Sequence, residues 1–292
     1  MKNSEMFYQE LPSYFPPQHQ DQQPGLEYLM NPSPIFDNPY SSGCWKLQGK
    51  VAIITGGDSG IGRAVAVAFA KEGANVVIAY YNEHEDAKRT KMYIERLGQQ
   101  CIILSGDIRE ESFCSKIVTE TLNNFGHLDI LVNNTGVAYP QQGIEDISLE
   151  QLTTTFQINV FSYFTMIKYC LPHLKYGDSI ICTASSTAYS AASFAIDYSS
   201  SKAAVVGLVR ALAQNLITRG IRVNGVAPGA TWTPLIVSSL PAEQVSTFGQ
   251  DSPIGRVAQP FEVASAYVYL ASDDSSYMVG QILHVDGGIT TS

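Results

Sequence analysis

The chain has 292 residues, of which 45% are hydrophobic, and a formal net charge of −9. Apolar residues are frequent enough for a globular core, but no apolar run is long enough to span a bilayer, so we expect no membrane partner. With 18 Lys and Arg against 27 Asp and Glu and no run of basic residues, nucleic acid is not an expected partner either.

The cysteines and histidines predict neither disulfides nor a metal site. The five cysteines contain no C-x-x-C pair, and the five histidines are scattered singly along the chain. Buried, reduced thiols in a reducing compartment explain this pattern. No positively charged segment followed by an apolar core is visible at the N-terminus, so we expect a cytoplasmic protein.

The first 46 residues differ in composition from the rest. Seven prolines between Pro12 and Pro39 interrupt regular structure, and residues 18–23 are polar. The same stretch carries aromatic and aliphatic residues, among them Phe15, Ile35 and Trp45, in a number too large for a freely solvated tail. We therefore expect residues 1–46 to form an extended arm laid over the globular body or over a neighbouring subunit, with simple disorder as the alternative.

From Lys50 onward, predicted strands and helices alternate. Strands are expected at 51–54, 75–80, 101–104, 129–132, 179–182, 222–226 and 281–285, and helices at 63–72, 86–97, 110–125, 149–171, 198–218 and 261–271. Alternation with short links implies right-handed crossovers and a mostly parallel seven-stranded sheet between helices. We predict one doubly wound, Rossmann-type α/β domain over residues 47–292. Residues 233–252 interrupt the rhythm and are the expected mobile lid.

The stretch from Thr55 to Gly62 converts the first strand into the first helix. It reads Thr-Gly-Gly-Asp-Ser-Gly-Ile-Gly. Its glycines let backbone amides approach a pyrophosphate, and the helix that follows turns its positive N-terminus toward that anion. The spacing is G-x-x-x-G-x-G rather than the usual G-x-G-x-x-G, so by itself the stretch is also compatible with a merely structural turn.

Tyr198 and Lys202 lie four residues apart on the helix predicted at 198–218, so their side chains leave the same face one turn from each other. A phenol normally loses its proton near pH ~10, which is too high for acid–base catalysis at neutral pH. A neighbouring ammonium group stabilises the phenolate and lowers that pKa. The pair is a candidate proton-transfer site, although Tyr-x-x-x-Lys is also a common surface pair.

These motifs together resemble the short-chain dehydrogenase/reductase family. The resemblance covers about residues 47–290 and rests on the following residues: Thr55 to Gly62, Asn133-Asn-Thr-Gly136, Asn159, Ser185, Tyr198 with Lys202, and Pro228-Gly229. The proline-rich leader together with the glycine turn is similar to a bacterial subgroup of stress-associated oxidoreductases that are glucose or ribitol dehydrogenase-like. One departure is Thr135, where the family usually has alanine, and we expect it to affect only local packing.

The resemblance implies four catalytic residues. Tyr198 would exchange a proton with the substrate oxygen, and Ser185 would hydrogen-bond the same oxygen. Lys202 would lower the pKa of Tyr198 and hold the nicotinamide ribose, while Asn159 would bind a water that relays protons from Lys202. Two alternatives stay open, because Ser186 could replace Ser185 and Asn159 could simply bridge backbone groups within its helix.

The resemblance also implies a nicotinamide dinucleotide as cofactor, without any metal. Asp107 would meet the adenine, and Pro228 with Gly229 would lie against the nicotinamide. The complete set of expected cofactor-binding residues is Gly56, Asp58, Ser59, Gly60, Ile61, Gly62, Tyr80, Tyr81, Asn82, Asp107, Ile108, Asn133, Gly136, Tyr198, Lys202, Pro228, Gly229, Thr231 and Thr233.

The choice between NAD and NADP depends on the end of the second strand. An acidic residue there binds the ribose hydroxyls of NAD and repels a 2′-phosphate, whereas NADP users place Arg or Lys there or just before the second glycine. This chain has Tyr80 at the first position and Ser59 at the second, so neither device is present. Because an unpaired phosphate dianion is costly, NAD is favoured, and use of both cofactors stays open.

The leading hypothesis is an NAD(P)-dependent oxidoreductase, a homotetramer by resemblance, that acts on a small-molecule alcohol or carbonyl substrate such as a sugar, polyol, aldehyde or ketone. One alternative is a 3-oxoacyl thioester reductase, which would need a basic surface to meet an acidic carrier and is disfavoured by the charge of −9. Another is a non-catalytic dinucleotide-binding scaffold, which would have no reason to keep Ser185, Tyr198 and Lys202 together. The sequence does not specify the physiological substrate.

Overall fold

A computed structural model describes residues 7, 8 and 10–290 and contains one sheet of seven parallel strands. The strands are β1 (Val51–Thr55), β2 (Asn75–Tyr80), β3 (Cys101–Ser105), β4 (Ile130–Asn133), β5 (Ser179–Thr183), β6 (Arg222–Pro228) and β7 (Ile282–Val285). Their spatial order is β3-β2-β1-β4-β5-β6-β7. The predicted doubly wound Rossmann-type fold is confirmed.

Helices cover both faces of this sheet. They are α1 (Gly60–Lys71), α2 (His84–Arg96), α3 (Glu111–Phe125), α4 (Leu149–Phe156), α5 (Ser162–Cys170), α6 (Thr187–Ser190), α7 (Ile196–Leu216), α8 (Pro234–Ser239), α9 (Ala242–Thr247) and α10 (Pro260–Ala271). Residues 233–252, which the sequence predicts to be a lid, thus contain α8 and α9.

Two separate apolar layers lie above and below the sheet. Ile53 packs with residues of α3, α5 and α7, whereas Ile54, the next residue of β1, packs with residues of α1, α2 and α10. Every residue of β1 is buried. A parallel strand covered on both faces has no solvent-facing side, which explains the unbroken apolar run in its sequence.

The order of the strands locates the functional crevice. The chain runs outward from β1 to β3 and then crosses back, so that β4 lies on the other side of β1. At such a switch point the loops after the two strands turn in opposite directions and leave a crevice at their carboxyl ends. Those loops are the glycine turn after β1 and the residues 133–136 at the end of β4.

The helix predicted over residues 149–171 is interrupted. A π-helical turn, Gln157–Phe161, separates α4 from α5. Within that turn the Asn159 side chain bonds to the backbone of Val137, outside its own helix, at 2.9 Å in each direction. A wide turn that redirects one polar side chain is typical of functional positions in helices.

The described part of the arm lies against the body of the same chain. The Phe15 ring is buried and stacks on Trp232, with ring centroids 3.9 Å apart. Further along, Ile35 bonds through its backbone to Phe261 at 3.2 Å and to the Gln259 side chain at 2.9 Å. Trp45, near the end of the arm, is exposed.

Membrane spans, metal sites and disulfides can be assessed over the same residues. Every helix in residues 7, 8 and 10–290 is too short or too polar to serve as a transmembrane span. Nowhere in this part of the chain do three or more His, Cys, Asp or Glu residues gather so that they could hold a metal ion. All five cysteines are free thiols, and four of them are buried.

Candidate active site

A pocket of about 1210 Å³ opens at the carboxyl ends of the strands. Its wall includes Ser185, Tyr198, Lys202 and most of the expected cofactor-binding residues: Gly56, Asp58, Ser59, Gly60, Ile61, Tyr80, Tyr81, Asp107, Ile108, Gly136, Pro228, Gly229, Thr231 and Thr233. Four expected residues do not reach the wall: Gly62, Asn82, Asn133 and Asn159. Ser186, the alternative to Ser185, also lines the pocket.

The glycine turn requires its glycines for different reasons. Gly56 and Gly60 have φ angles of +64° and +51°, which a residue with a side chain rarely adopts. Gly62 supports the turn from behind, because a Cβ added there would lie 1.8 Å from the Gly56 carbonyl oxygen. The Asn134 side chain completes the support by donating to the Thr55 and Gly56 carbonyls at 3.3 and 3.2 Å.

Lys202 is buried at the end of the pocket that Tyr198 and Ser185 also line. Its Nζ donates to the Thr183 carbonyl at 2.9 Å and to the Tyr163 hydroxyl at 3.4 Å. The ammonium lies 5.8 Å from the centroid of the Tyr198 ring. Burial lowers the pKa of Lys202 to about 8.

Tyr198, from the same helix α7, is half-buried beside Ser185. Burial raises the pKa of Tyr198, and the interaction with the Ser185 hydroxyl opposes the shift. The sequence predicts that Lys202 lowers the pKa of Tyr198, and the structure does not show this lowering. The Lys202 ammonium group donates to the Thr183 carbonyl instead. The phenol keeps its proton at neutral pH in this geometry.

Ser185 follows β5, and its hydroxyl can act as a donor at the end of the pocket where Tyr198 lies. Its Oγ accepts hydrogen bonds from the Thr187 amide at 3.2 Å and from the Thr187 hydroxyl at 3.0 Å. A hydroxyl with both acceptor positions used can still donate its own proton. Ser185 can therefore hold an oxygen atom that enters the pocket next to Tyr198.

Asn159 fixes the loop after β4 rather than groups of its own helix. Besides its two bonds to Val137, its Nδ2 donates to the Ser201 hydroxyl on α7 at 3.0 Å. Gly136 lies between this amide and Lys202, since a Cβ added there would be 3.6 Å from Asn159 Oδ1 and 3.4 Å from Lys202 Nζ. The absence of a side chain at Gly136 thus leaves these two polar groups facing the same space.

Asn133 is buried at the end of β4 and shapes the crevice from below. Its Nδ2 contacts the Cys182 sulfur at 3.8 Å, and its Oδ1 has no hydrogen-bond partner in the described ranges. Asn82 is exposed, and its backbone amide donates to the Glu83 carboxylate at 2.8 Å. Asn133 therefore supports the pocket wall from beneath, and Asn82 lies outside the wall.

Asp58 introduces a buried carboxyl group at the opposite end of the pocket. The residue is buried, and its Oδ2 has no hydrogen-bond partner among residues 7, 8 and 10–290. Burial, with the added repulsion of the nearby Glu83 carboxylate, raises the pKa of Asp58 to about 8. Tyr80 lines the same end and bonds through its hydroxyl to His84 Nδ1 at 3.0 Å.

Asp107 holds a cation at this end of the pocket. Arg109 donates through Nε to both Asp107 carboxylate oxygens at 3.0 Å and through a terminal nitrogen at 2.6 Å. This pairing lowers the pKa of Asp107. Arg109 lines the pocket as well, but its charge is already engaged.

The nicotinamide-side residues predicted from the sequence are packed tightly. A Cβ added at Gly229 would lie 2.6 Å from the Asp286 backbone, so β6 can enter the pocket wall only with glycine there. The Thr231 hydroxyl donates to the Gly229 carbonyl at 3.0 Å. Thr233 precedes α8 and lies against Gly60, which connects the lid to the glycine turn.

Among the wall residues that sequence reasoning missed are Gln23–Gly25 from the arm, Glu83, and Arg109. Arg109 follows Asp107 by two residues, and that pattern at a strand end was a usable signal. Glu83 follows β2 closely and could have been considered with Tyr80. Nothing local to Gln23 indicates that it meets Ala138, because the two residues are separated by 115 positions.

Known proteins related to this chain cover nearly all of it. The family model described as Enoyl-(Acyl carrier protein) reductase matches residues 56–290. YhxC, an uncharacterized oxidoreductase of Bacillus subtilis, is 56% identical over 273 residues, which are 94% of this chain and 95% of the relative. Glucose and ribitol dehydrogenase of Daucus carota is 46% identical over 280 residues, which are 94% of this chain and 96% of the relative.

A solved structure shares the fold. It is a short-chain dehydrogenase from Burkholderia cenocepacia in complex with NADP, with a TM-score of 0.79 and 31% identity. The match covers 84% of this chain and 100% of that chain. About a sixth of the present chain therefore lies outside the structural match. This fraction is similar in length to the arm, residues 1–46.

Proposed function

Because the chain belongs to the short-chain dehydrogenase/reductase family, in the glucose and ribitol dehydrogenase-like subgroup, we propose that it transfers a hydride between a nicotinamide cofactor and an alcohol or carbonyl carbon. The observation that carries the proposal is the meeting of Ser185, Tyr198 and Lys202 on one pocket wall that the glycine turn also lines. This combination suits a reaction in which one substrate oxygen exchanges a proton. The family is one of oxidoreductases.

Tyr198 is the proposed general acid and base. Its hydroxyl gives a proton to the substrate oxygen in carbonyl reduction and takes one back in alcohol oxidation. The Ser185 hydroxyl donates a hydrogen bond to the same substrate oxygen. Lys202 stabilises the phenolate by its positive charge as the proton leaves, in a setting where water is largely excluded. The bound nicotinamide would supply or accept the hydride.

The pocket residues fit a dinucleotide. Glycines at 56 and 60 expose the backbone where a diphosphate would lie, and α1 begins at that point with its positive end. Asp58 offers an acceptor oxygen that no described residue uses. A ribose hydroxyl is a suitable donor for that oxygen.

NAD is the proposed preferred cofactor. The buried Asp58 carboxyl group has a free oxygen that can accept from a ribose hydroxyl, and in its ionised form it would repel a phosphate dianion. Among the described residues, the cations that line the pocket are Arg109 and Lys202, and Arg109 is paired with Asp107. The NADP bound to the Burkholderia structure belongs to a protein that is only 31% identical, so it does not decide the preference of this chain.

A sugar, a polyol, or a simple aldehyde or ketone is the proposed substrate. The name of the carrot relative, glucose and ribitol dehydrogenase, supports the first two. A thioester reductase is the second candidate, because the matching family model is described as acting on acyl carrier protein. The net charge of −9 disfavours docking of an acidic carrier.

The proposal is tested by mixing the purified protein with NADH and a panel of sugars, aldehydes, ketones and a 3-oxoacyl thioester. We expect loss of NADH absorbance with at least one small carbonyl compound. Tight NADH binding without absorbance loss for any member would favour the non-catalytic scaffold. Turnover of the thioester alone would favour the second candidate.

A homotetramer in the cytoplasm completes the proposal. Exposed aromatic side chains at Phe161 and Phe164 on neighbouring turns support an association surface, and free buried thiols are typical of a reducing compartment. Light scattering should therefore give a mass several times that of one chain. A particle of 31.8 kDa would contradict the tetramer.

A further inference from the structure

We propose that Gln23–Gly25 of the N-terminal arm is a positioning element of the active site, which ties the lid to the loop after β4 and thereby slows release of the cofactor. This inference rests on the proposed function, since it concerns the same pocket. It assigns a role to a segment that lies outside the residues 56–290 matched by the family model.

The Gln23 side chain connects two walls of the pocket. Its Nε2 donates to the Ala138 carbonyl at 2.5 Å and to the Ser238 carbonyl at 3.3 Å. Its Oε1 accepts from the Ala138 amide at 3.3 Å. Ala138 lies in the loop after β4 and Ser238 lies in α8, so one amide group joins the catalytic side of the crevice to the lid.

A second hydrogen bond joins α8 to the loop after β4. The Ser239 hydroxyl, also on α8, donates to the Ala138 carbonyl at 3.0 Å. The lid therefore has one direct bond to this loop and others through Gln23. Removal of the Gln23 amide would leave the Ala138 amide without that acceptor and weaken the hold on α8.

Gly25 brings the arm backbone directly onto the lid. A Cβ added at Gly25 would lie 2.6 Å from the Pro234 carbonyl oxygen and 3.1 Å from Ser238 Cβ. Both contacts are with α8, so even a methyl group would push the arm and the helix apart.

The arm is anchored on the lid by further contacts before it reaches Gln23. Gln20 donates through its backbone to the Val237 carbonyl at 2.8 Å, and His19 Nδ1 lies 2.8 Å from the Leu240 carbonyl. These contacts, with the Phe15 stack on Trp232 just before the lid, hold the arm against α8. Movement of α8 away from the pocket would break them unless the arm moved with it.

The arm also contacts the phosphate-facing helix. Glu27 accepts a hydrogen bond from the Gly60 amide at 2.6 Å and pairs with Arg63, both in α1. The segment from Gln23 to Glu27 therefore touches the lid, the loop after β4 and the start of α1. A cofactor held between these parts would leave more slowly when they are joined.

The test compares full-length Gln23→Ala with Gln22→Ala as the matched control. Gln22 is the adjacent residue of the same type, is exposed, and bonds only within the arm, to the Pro24 carbonyl at 3.3 Å.

The NADH release rate is measured by stopped-flow fluorescence, and the dissociation constant by titration. The melting temperature of each protein is measured as well. We expect Gln23→Ala to release NADH about tenfold faster and to bind it about tenfold more weakly, as loss of one or two hydrogen bonds implies. Gln22→Ala should match the wild type in NADH release rate, NADH affinity and kcat.

Gly25→Ala provides an independent variant, because it displaces α8 without removing a polar group. Faster release in both Gln23→Ala and Gly25→Ala, at an unchanged melting temperature, supports the proposal. Wild-type release rates in both variants would overturn it while leaving the proposed function standing. Failure of the wild-type protein to bind NADH at all would instead overturn the proposed function, and the arm proposal with it.

Discussion

Two buried titratable groups, Lys202 and Asp58, face the same pocket from opposite ends, and the chain surrounds them differently. Lys202 donates to the Thr183 carbonyl and to the Tyr163 hydroxyl. Asp58 keeps one carboxyl oxygen without any partner in the described part of the chain. Burial shifts the pKa of both groups toward the neutral form, to about 8 in each case.

This difference between the two ends of the pocket indicates that they have different roles. At the catalytic end, protein groups already satisfy the cation, so Lys202 is held in place before any ligand arrives. At the other end, a buried acceptor remains free, and a group left in that condition is costly unless a ligand uses it. We therefore assign chemistry to the first end and cofactor recognition to the second.

The largest expected effect comes from Tyr198→Phe, which removes the proton donor and leaves the rest of the catalytic end intact. Turnover should fall by about 10²–10⁴-fold, the range for loss of a general acid. NADH affinity, measured by fluorescence titration, should stay within about twofold of the wild type, because cofactor recognition lies elsewhere. Ordinary activity in this variant would remove Tyr198 from its role.

An intermediate effect is expected from Asp58→Asn at about pH 9, above the pKa of about 8, where the wild-type carboxyl group is ionised. The ratio of NADPH to NADH affinity should rise about tenfold at that pH, because the amide no longer repels the 2′-phosphate and keeps the size of the side chain. Tyr80→Asp serves as the opposite control, since it adds an acidic residue at the end of β2 and should shift the ratio toward NADH. If both ratios stay at the wild-type value, this end of the pocket does not face the ribose.

The smallest effect is a change in how stability depends on pH. The pKa of Asp58 is raised from 3.8 to about 8, so the folded protein binds more protons than the unfolded chain between those values. Stability from this group is therefore present at low pH and is lost as the pH rises through about 8. Relative to the wild type, Asp58→Asn should gain ~1 kcal/mol or more in unfolding free energy between about pH 5 and about pH 9, measured by urea unfolding. A difference that does not change with pH would show that Asp58 is ionised throughout.

The features that sequence predicted best are local. The glycine turn, the strand–helix alternation and the four-residue spacing of Tyr198 and Lys202 each depend on neighbours in the chain, so patterns were sufficient. The fold class and the family followed from them. Most of the expected cofactor-binding residues do line one pocket.

The features that sequence missed depend on contacts between distant residues. The π-helical turn forms because Asn159 bonds to Val137, 22 positions away, and Asp58 meets Glu83 only after β2 has been placed beside β1. The pKa of Tyr198 was expected to fall and instead rises, because the depth of burial and the direction of Lys202 are properties of the folded chain. The composition of the arm indicates that it packs against the protein, but it does not predict the contact between Gln23 and Ala138.

The most direct test of the central claim is transfer of deuterium from NADH labelled at the nicotinamide C4 position to a carbonyl substrate that the protein reduces. The account predicts that mass spectrometry finds the label on the carbinol carbon of the product in the wild-type protein. A product without the label, formed while the labelled NADH remains unchanged, would contradict hydride transfer in this pocket.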